Sequence, residues 1–189
     1  MTYRRSVLTA LLLSVLLSAC SNGGSERQSE AEGKRTAEKA RRPAAELYWQ
    51  LYNSIGSAAS RSGGSGYFAD CEEVKEDSVT YRVTTLLDPK SKSESLETLT
   101  TAVANRLKSA GWILSPASGL HRSATKNGIS VELKPSPVSG TSVQLQVRSE
   151  CVNVGKAADV LTADYANASD NYNSSQASAS PVPTNFVKP

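Results

Sequence analysis

The sequence has a single histidine, His121, in 189 residues, and only three cysteines, Cys20, Cys71 and Cys151. One histidine removes every Cys2His2 zinc site and leaves a nucleophile–histidine system with one choice of base. That base lies beside Arg122 in a segment of strand-like alternation, and no Gly-x-Ser-x-Gly turn is present to expose a serine. A solvent-facing strand histidine is the simpler reading, and no catalytic residue is assigned. Gly63, Gly64 and Gly66 lack the lysine and the strand-to-helix context of a phosphate loop. The acidic run Asp70, Glu72, Glu73, Glu76 and Asp77 lacks the Asp/Asn–Gly spacing of a calcium loop and reads as a solvated face, so no metal or cofactor is expected. Net charge is also scarce. The formal value is +3, and without the first nineteen residues, which hold Arg4 and Arg5, the chain has 19 basic and 18 acidic side chains. A near-neutral chain with 6% aromatic residues and no aromatic-and-basic stripe is not built for nucleic acid. Long apolar runs are missing too: residues 6–17 fall short of the roughly 20 that a spanning helix needs.

What that run does have is an order. Arg4-Arg5 precedes it and Leu17-Ser18-Ala19-Cys20 ends it, giving the charged, hydrophobic and small-residue regions of an export signal. Leu17-Ser18-Ala19-Cys20 resembles the lipobox of bacterial lipoproteins. The resemblance implies that residues 1–19 are a removable signal and that the Cys20 thiol carries a diacylglycerol. It also implies localisation at the cell membrane, with the domain on the extracytoplasmic face. Each buried CH2 contributes about 0.8 kcal/mol, so two acyl chains hold a domain where one would not. Arg4-Arg5-Ser6-Val7-Leu8 resembles the twin-arginine export motif, with a general secretory signal as the alternative.

With Cys20 committed to lipid, Cys71 and Cys151 form an even pair in an exported chain, which favours a disulfide. Closing a loop of about 80 residues would contribute roughly 4 kcal/mol in the chain-entropy description. Two buried thiols or a metal site are the alternatives.

The chain divides by composition. Residues 20–42 are polar and charged, with no large apolar side chain before Leu47, and read as a flexible tether. Residues 156–189 read as a low-complexity tail, rich toward the end in Ala, Ser, Asn and Pro. Between them, residues 43–155 carry the pattern of a domain. Pro43 suits a first helical turn, and Leu47, Tyr48, Leu51, Tyr52 and Ile55 follow on one helical face. The aromatic trio Tyr48, Trp49 and Tyr52 invites a reading as a ligand platform or lipid-surface contact. The plainer reading packs the two tyrosines inward and leaves Trp49 at the rim.

Gly56 and Gly63-Gly64-Ser65-Gly66 read as a flexible link. Val79, Tyr81, Val83 and Thr85 then alternate as a strand, and Asp88-Pro89 stops it. Ser91 and Glu94 stand at capping-box spacing before Leu96, Leu99, Val103, Leu107 and Ala110, and Gly111-Trp112 closes that helix. Strand patterns follow at 112–114, 120–126 and 129–134, the last two joined by the hairpin signal Asn127-Gly128. After the reversal at 135–140, Val143, Leu145 and Val147 alternate, and extending that alternation turns Cys151 inward.

This order implies an α+β fold, two helices packed on one face of a mainly antiparallel sheet of four to five strands, with disordered termini. Gly111-Trp112, Asn127-Gly128 and Cys151, together with the lipobox, make the chain similar to small lipoproteins of actinomycetes. That resemblance implies no assigned activity. The expected function is a membrane-anchored, non-catalytic module that binds an envelope protein or small ligand through the sheet face or the aromatic helix. A lipid carrier needs a deep apolar pocket between helices and sheet, and an envelope enzyme needs a cleft holding His121 near an acid and a serine.

Overall fold

The computed structural model describes residues 29–55, 59–71, 76–163 and 170–172. The expected signal, Cys20 and most of the C-terminal tail lie outside the described residues.

The first helix, α1 (Glu30–Ile55), begins well before Pro43. Its start is a capping box: the Ser29 hydroxyl accepts from the Glu32 backbone N–H at 3.4 Å, and the Glu32 carboxylate accepts from the Ser29 N–H at 3.3 Å. Residues 30–42 are therefore helix and not tether. They lack large apolar side chains because this half of α1 packs through small ones: Gly33, Ala37, Ala40 and Ala44 recur at helical spacing and are all buried. Pro43 sits in the helix interior, where it leaves the Lys39 carbonyl without its usual N–H donor.

Strands β1 (Ala59–Asp70) and β2 (Ser78–Pro89) form a long antiparallel pair. Gly63, Gly64 and Gly66, expected to form a flexible link, lie inside β1, where the register shifts between Ser62 and Gly64, and Gly56 lies outside the described residues; a glycine-rich bulge reads in sequence like a linker. Helix α2 (Leu96–Ser109) is capped by Ser95, whose hydroxyl accepts from the Thr98 N–H at 3.1 Å. Ser91 and Glu94 instead close the preceding turn, with the Glu94 N–H donating to the Ser91 carbonyl. At the other end Gly111 takes φ +80°, and the Trp112 N–H reaches back to the Leu107 carbonyl at 3.1 Å, the expected glycine-capped stop.

Strands β3 (Ile113–Leu114), β4 (Arg122–Lys126), β5 (Ile129–Pro135) and β6 (Val143–Arg148) follow as antiparallel neighbours. Asn127 and Gly128, at φ 52° and 77°, make the tight turn between β4 and β5. A short β7 (Val152–Asn153) pairs with β2 beyond the end of β6. A 3-10 turn (Gly155–Ala157) and α3 (Ala158–Ala163) follow, so residues 156–163, expected to be tail, are folded, with Ala157, Ala158 and Leu161 buried. The final strand β8 (Asp170–Tyr172) pairs with β1.

The fold is α+β, as expected, and among the described residues it has three α-helices and an eight-stranded antiparallel sheet, seven strands in the order β3-β4-β5-β6-β2-β1-β8 with β7 beside β2, rather than two helices and four to five strands. Val79, Tyr81, Val83 and Leu87 of β2, Val131 and Leu133 of β5, and Val143, Leu145 and Val147 of β6 point to one side of the sheet. They form one core with α1, α2 and Trp112. No helix among the described residues is long and apolar enough to cross a membrane.

Candidate functional site

The aromatic trio is part of the core. Tyr48, Trp49 and Tyr52 are 0%, 6% and 2% exposed. Their rings touch one another at centroid distances of 5.3–5.7 Å. Burial withdraws them as a surface contact or ligand platform, and Trp49 is not at the rim. The physical reason is the seating of α1: Tyr48, Trp49 and Tyr52 lie on the side of the helix turned to the core, and Glu46, Gln50 and Asn53 take the exposed side.

Sequence reasoning missed the buried cation next to this cluster. Arg41 is 1% exposed, and its Nε and Nη2 donate to the Glu38 carboxylate at 2.6 and 2.9 Å. Its guanidinium lies 5.8 Å from the centre of the Tyr81 ring. A two-pronged pair one helical turn apart allows a charge to enter the core. The signal was present as Glu38 and Arg41 at i,i+3 within the helix that had been read as tether.

Cys71 and Cys151 meet at disulfide distance, with Cα atoms 6.1 Å apart. Cys71 is buried, but Cys151 is exposed, against the inward orientation expected from alternation. The register explains the reversal. Arg82 pairs with Arg148 while Val79 pairs with Val152, so three residues between β6 and β7 oppose two on β2. This bulge shifts the phase by one residue. Ser149 fills the break: its backbone N–H donates to the Tyr81 carbonyl at 2.9 Å, its hydroxyl accepts from the Tyr81 N–H at 2.9 Å, and its carbonyl accepts from Thr80 Oγ1 at 2.8 Å.

His121 is exposed, and its backbone pairs with Ser118 where the chain enters β4. Of the acidic run, Glu72 and Glu73 lie outside the described residues, and Asp77 uses its carbonyl to accept from the Val154 N–H at 2.8 Å. Among the described residues no three His, Cys, Asp or Glu side chains gather as a metal site.

The side of the sheet opposite the core carries polar side chains in register. Arg82 stands opposite Arg148 across β2 and β6 and opposite Tyr67 across β1 and β2. Arg148 in turn stands opposite Ser130 of β5. The next row is Ser65, Thr84, Gln146 and Glu132. Gln146 Nε2 lies 3.4 Å from Thr84 Oγ1, Arg148 Nη2 donates to Gln146 Oε1 at 3.3 Å, and Lys134 pairs with Glu132 at 3.3 Å. Most of these side chains are half-exposed. At one end of this face a groove of about 420 Å³ is lined by Ser65, Thr84, Leu86, Gln144, Pro137 and Val138, and Val138 is 79% exposed. A larger cavity, about 750 Å³, lies between the β2–α2 and β5–β6 loops, bordered by Asp88, Lys90, Lys92, Glu94 and Thr141. Both are open to the surface, and of the strands and helices the larger one touches only the last residues of β2, Asp88 and Pro89, and the start of α2 at Leu96.

Comparison with known proteins finds no matching family model, no similar curated protein and no similar solved structure.

Proposed function

We propose that this chain is a lipid-anchored, extracytoplasmic and non-catalytic module of the cell envelope, which binds a partner protein through the polar face of its sheet. One observation carries the binding reading: helices and core occupy one side of the sheet, while the other presents half-exposed Thr84, Gln144, Ser130, Glu132, Lys134 and Arg148 in cross-strand rows. Open polar surfaces with an exposed apolar residue at their margin, here Val138, suit protein contact better than enclosure of a small molecule. The anchor reading is carried by Leu17-Ser18-Ala19-Cys20 after its apolar run. An apolar lipid carrier gains no support, since the large cavity is bordered by charged loops.

The test places a photo-crosslinking residue at Gln144 or Ser130 on the polar face and, as a control, at the exposed Asn105 of α2. In the native membrane, one discrete adduct from both sheet positions and none from position 105 is the expected result. Sheet positions that give no adduct, or the same adducts as position 105, would overturn the assignment of the binding face.

A further inference from the structure

We propose that the outward stripe of α1 formed by Arg35, Lys39 and Arg42 docks on anionic lipid headgroups of the membrane that carries the chain. The proposal rests on the anchor reading, because it takes Cys20 as the point of attachment. Eight residues separate Cys20 from Ser29, the cap of α1. Even fully extended, that stretch spans only about 30 Å, so the first turns of α1 stay close to the lipid.

Arg35, Lys39 and Arg42 stand at i, i+4 and i+7, which puts them on one helical face, and all three are exposed. The opposite face, Gly33, Ala37, Ala40 and Ala44, is buried against the fold. The helix therefore has one orientation on the domain and turns its basic stripe outward. Acidic neighbours in these turns are engaged within the helix: Glu30 pairs with Lys34 at 2.5 Å, Glu32 closes the capping box, and Glu38 holds Arg41. Arg42 reaches Glu38 only at 3.9 Å, with its side chain 63% exposed. Glu46, one turn further from Cys20, ends the stripe.

Charge complementarity fixes the occupant. Basic residues held beside a lipid anchor meet the negative surface of a membrane at high local concentration, and three of them should raise surface occupancy roughly a hundredfold at moderate salt. The contact would press the start of α1 to the bilayer and set the height at which the polar sheet face is presented.

The full lipidated protein, reconstituted in vesicles of neutral phosphatidylcholine or with anionic phosphatidylglycerol added, provides the test through amine labelling. On anionic vesicles the Lys39 labelling rate should fall several-fold and recover in 1 M salt. Lys92 should not change; it lies in the loop after β2, whose last residue pairs with Ala59 just beyond the far end of α1. Substituting R35E and R42E should abolish the protection of Lys39. Equal Lys39 labelling on both vesicles, in protein that carries acyl mass, would overturn the stripe and leave the anchor standing. Protection on neutral vesicles as strong as on anionic ones would do the same, because it would mark a contact that does not depend on lipid charge. A chain without acyl mass would overturn the anchor, and this proposal with it.

Discussion

Replacing Gly33 by alanine distinguishes close packing of α1 from ordinary helix preference, because the two give opposite signs. In an exposed helix interior, alanine in place of glycine stabilises by about 0.5–1 kcal/mol. At Gly33 a Cβ would stand 2.0 Å from the Val154 carbonyl oxygen and 2.7 Å from the Ala157 Cβ. Neither neighbour is the end of a flexible side chain: one is backbone and the other is bound directly to it. Relief therefore requires α1 and the 3-10 turn to move apart, and overpacking of this kind costs about 1–3 kcal/mol. Subtracting the helix gain leaves a net loss of up to about 2.5 kcal/mol, with a 2.0 Å approach to backbone favouring the upper part of that range. Gly140 is the control: nothing lies within 4 Å of its added Cβ, and it does not need a positive φ. There alanine should be neutral or stabilise by up to about 1 kcal/mol. Urea unfolding of the two variants and the parent, followed by tryptophan fluorescence, gives the midpoints. A Gly33→Ala midpoint at or above the parent would refute the close seat of α1 on residues 154–157.

Further outcomes follow from single interactions. Ser149→Ala leaves the buried Tyr81 N–H without the hydroxyl that accepts from it, and the unfolding midpoint should fall by the equivalent of about 1–3 kcal/mol; an unchanged midpoint would show that the bulge does not depend on that hydroxyl. Pro43→Ala restores an N–H donor in the interior of α1 and should raise thermal stability by about 1–3 kcal/mol, with more helical circular dichroism; a fall in melting temperature would contradict a continuous α1. Glu38→Ala should cost about 2–3 kcal/mol by leaving Arg41 without this carboxylate in the core, whereas Arg41→Met should cost less; the reverse order would contradict the buried-pair account. Reduction of the Cys71–Cys151 pair, which closes a loop of 80 residues, should lower stability by about 4 kcal/mol. Unfolding curves that coincide with and without a reductant would show that the link is not formed in solution.

How much of this fold could be read in advance depended on whether the information was local. The α2 stop at Gly111-Trp112 and the Asn127-Gly128 turn are set by backbone conformations that few residues adopt, so their residue types announced them. The alternations in β2 and β6 likewise revealed the core face, because one side of each strand meets helices. The first half of α1 was misread since its burial uses Gly33 and alanines, which carry little hydropathy signal, although Ser29 and Glu32 stood at capping-box spacing. β1 was missed because glycines at a bulge resemble a linker. Cys151 was placed inward because alternation was carried through Ser149, and the extra residue there appears only in the pairing with β2. For the site, the aromatic trio drew attention by residue type alone. The polar rows across β5, β6 and β2 needed strand order and register, which are non-local.

The central claim is that a mature chain begins at a lipid-bearing Cys20, and intact mass spectrometry of the protein purified from its native membrane tests it most directly. The account predicts a chain starting at Cys20, with the mass of residues 20–189 plus a diacylglycerol-type modification. A mature chain that starts elsewhere and carries no acyl mass would contradict it.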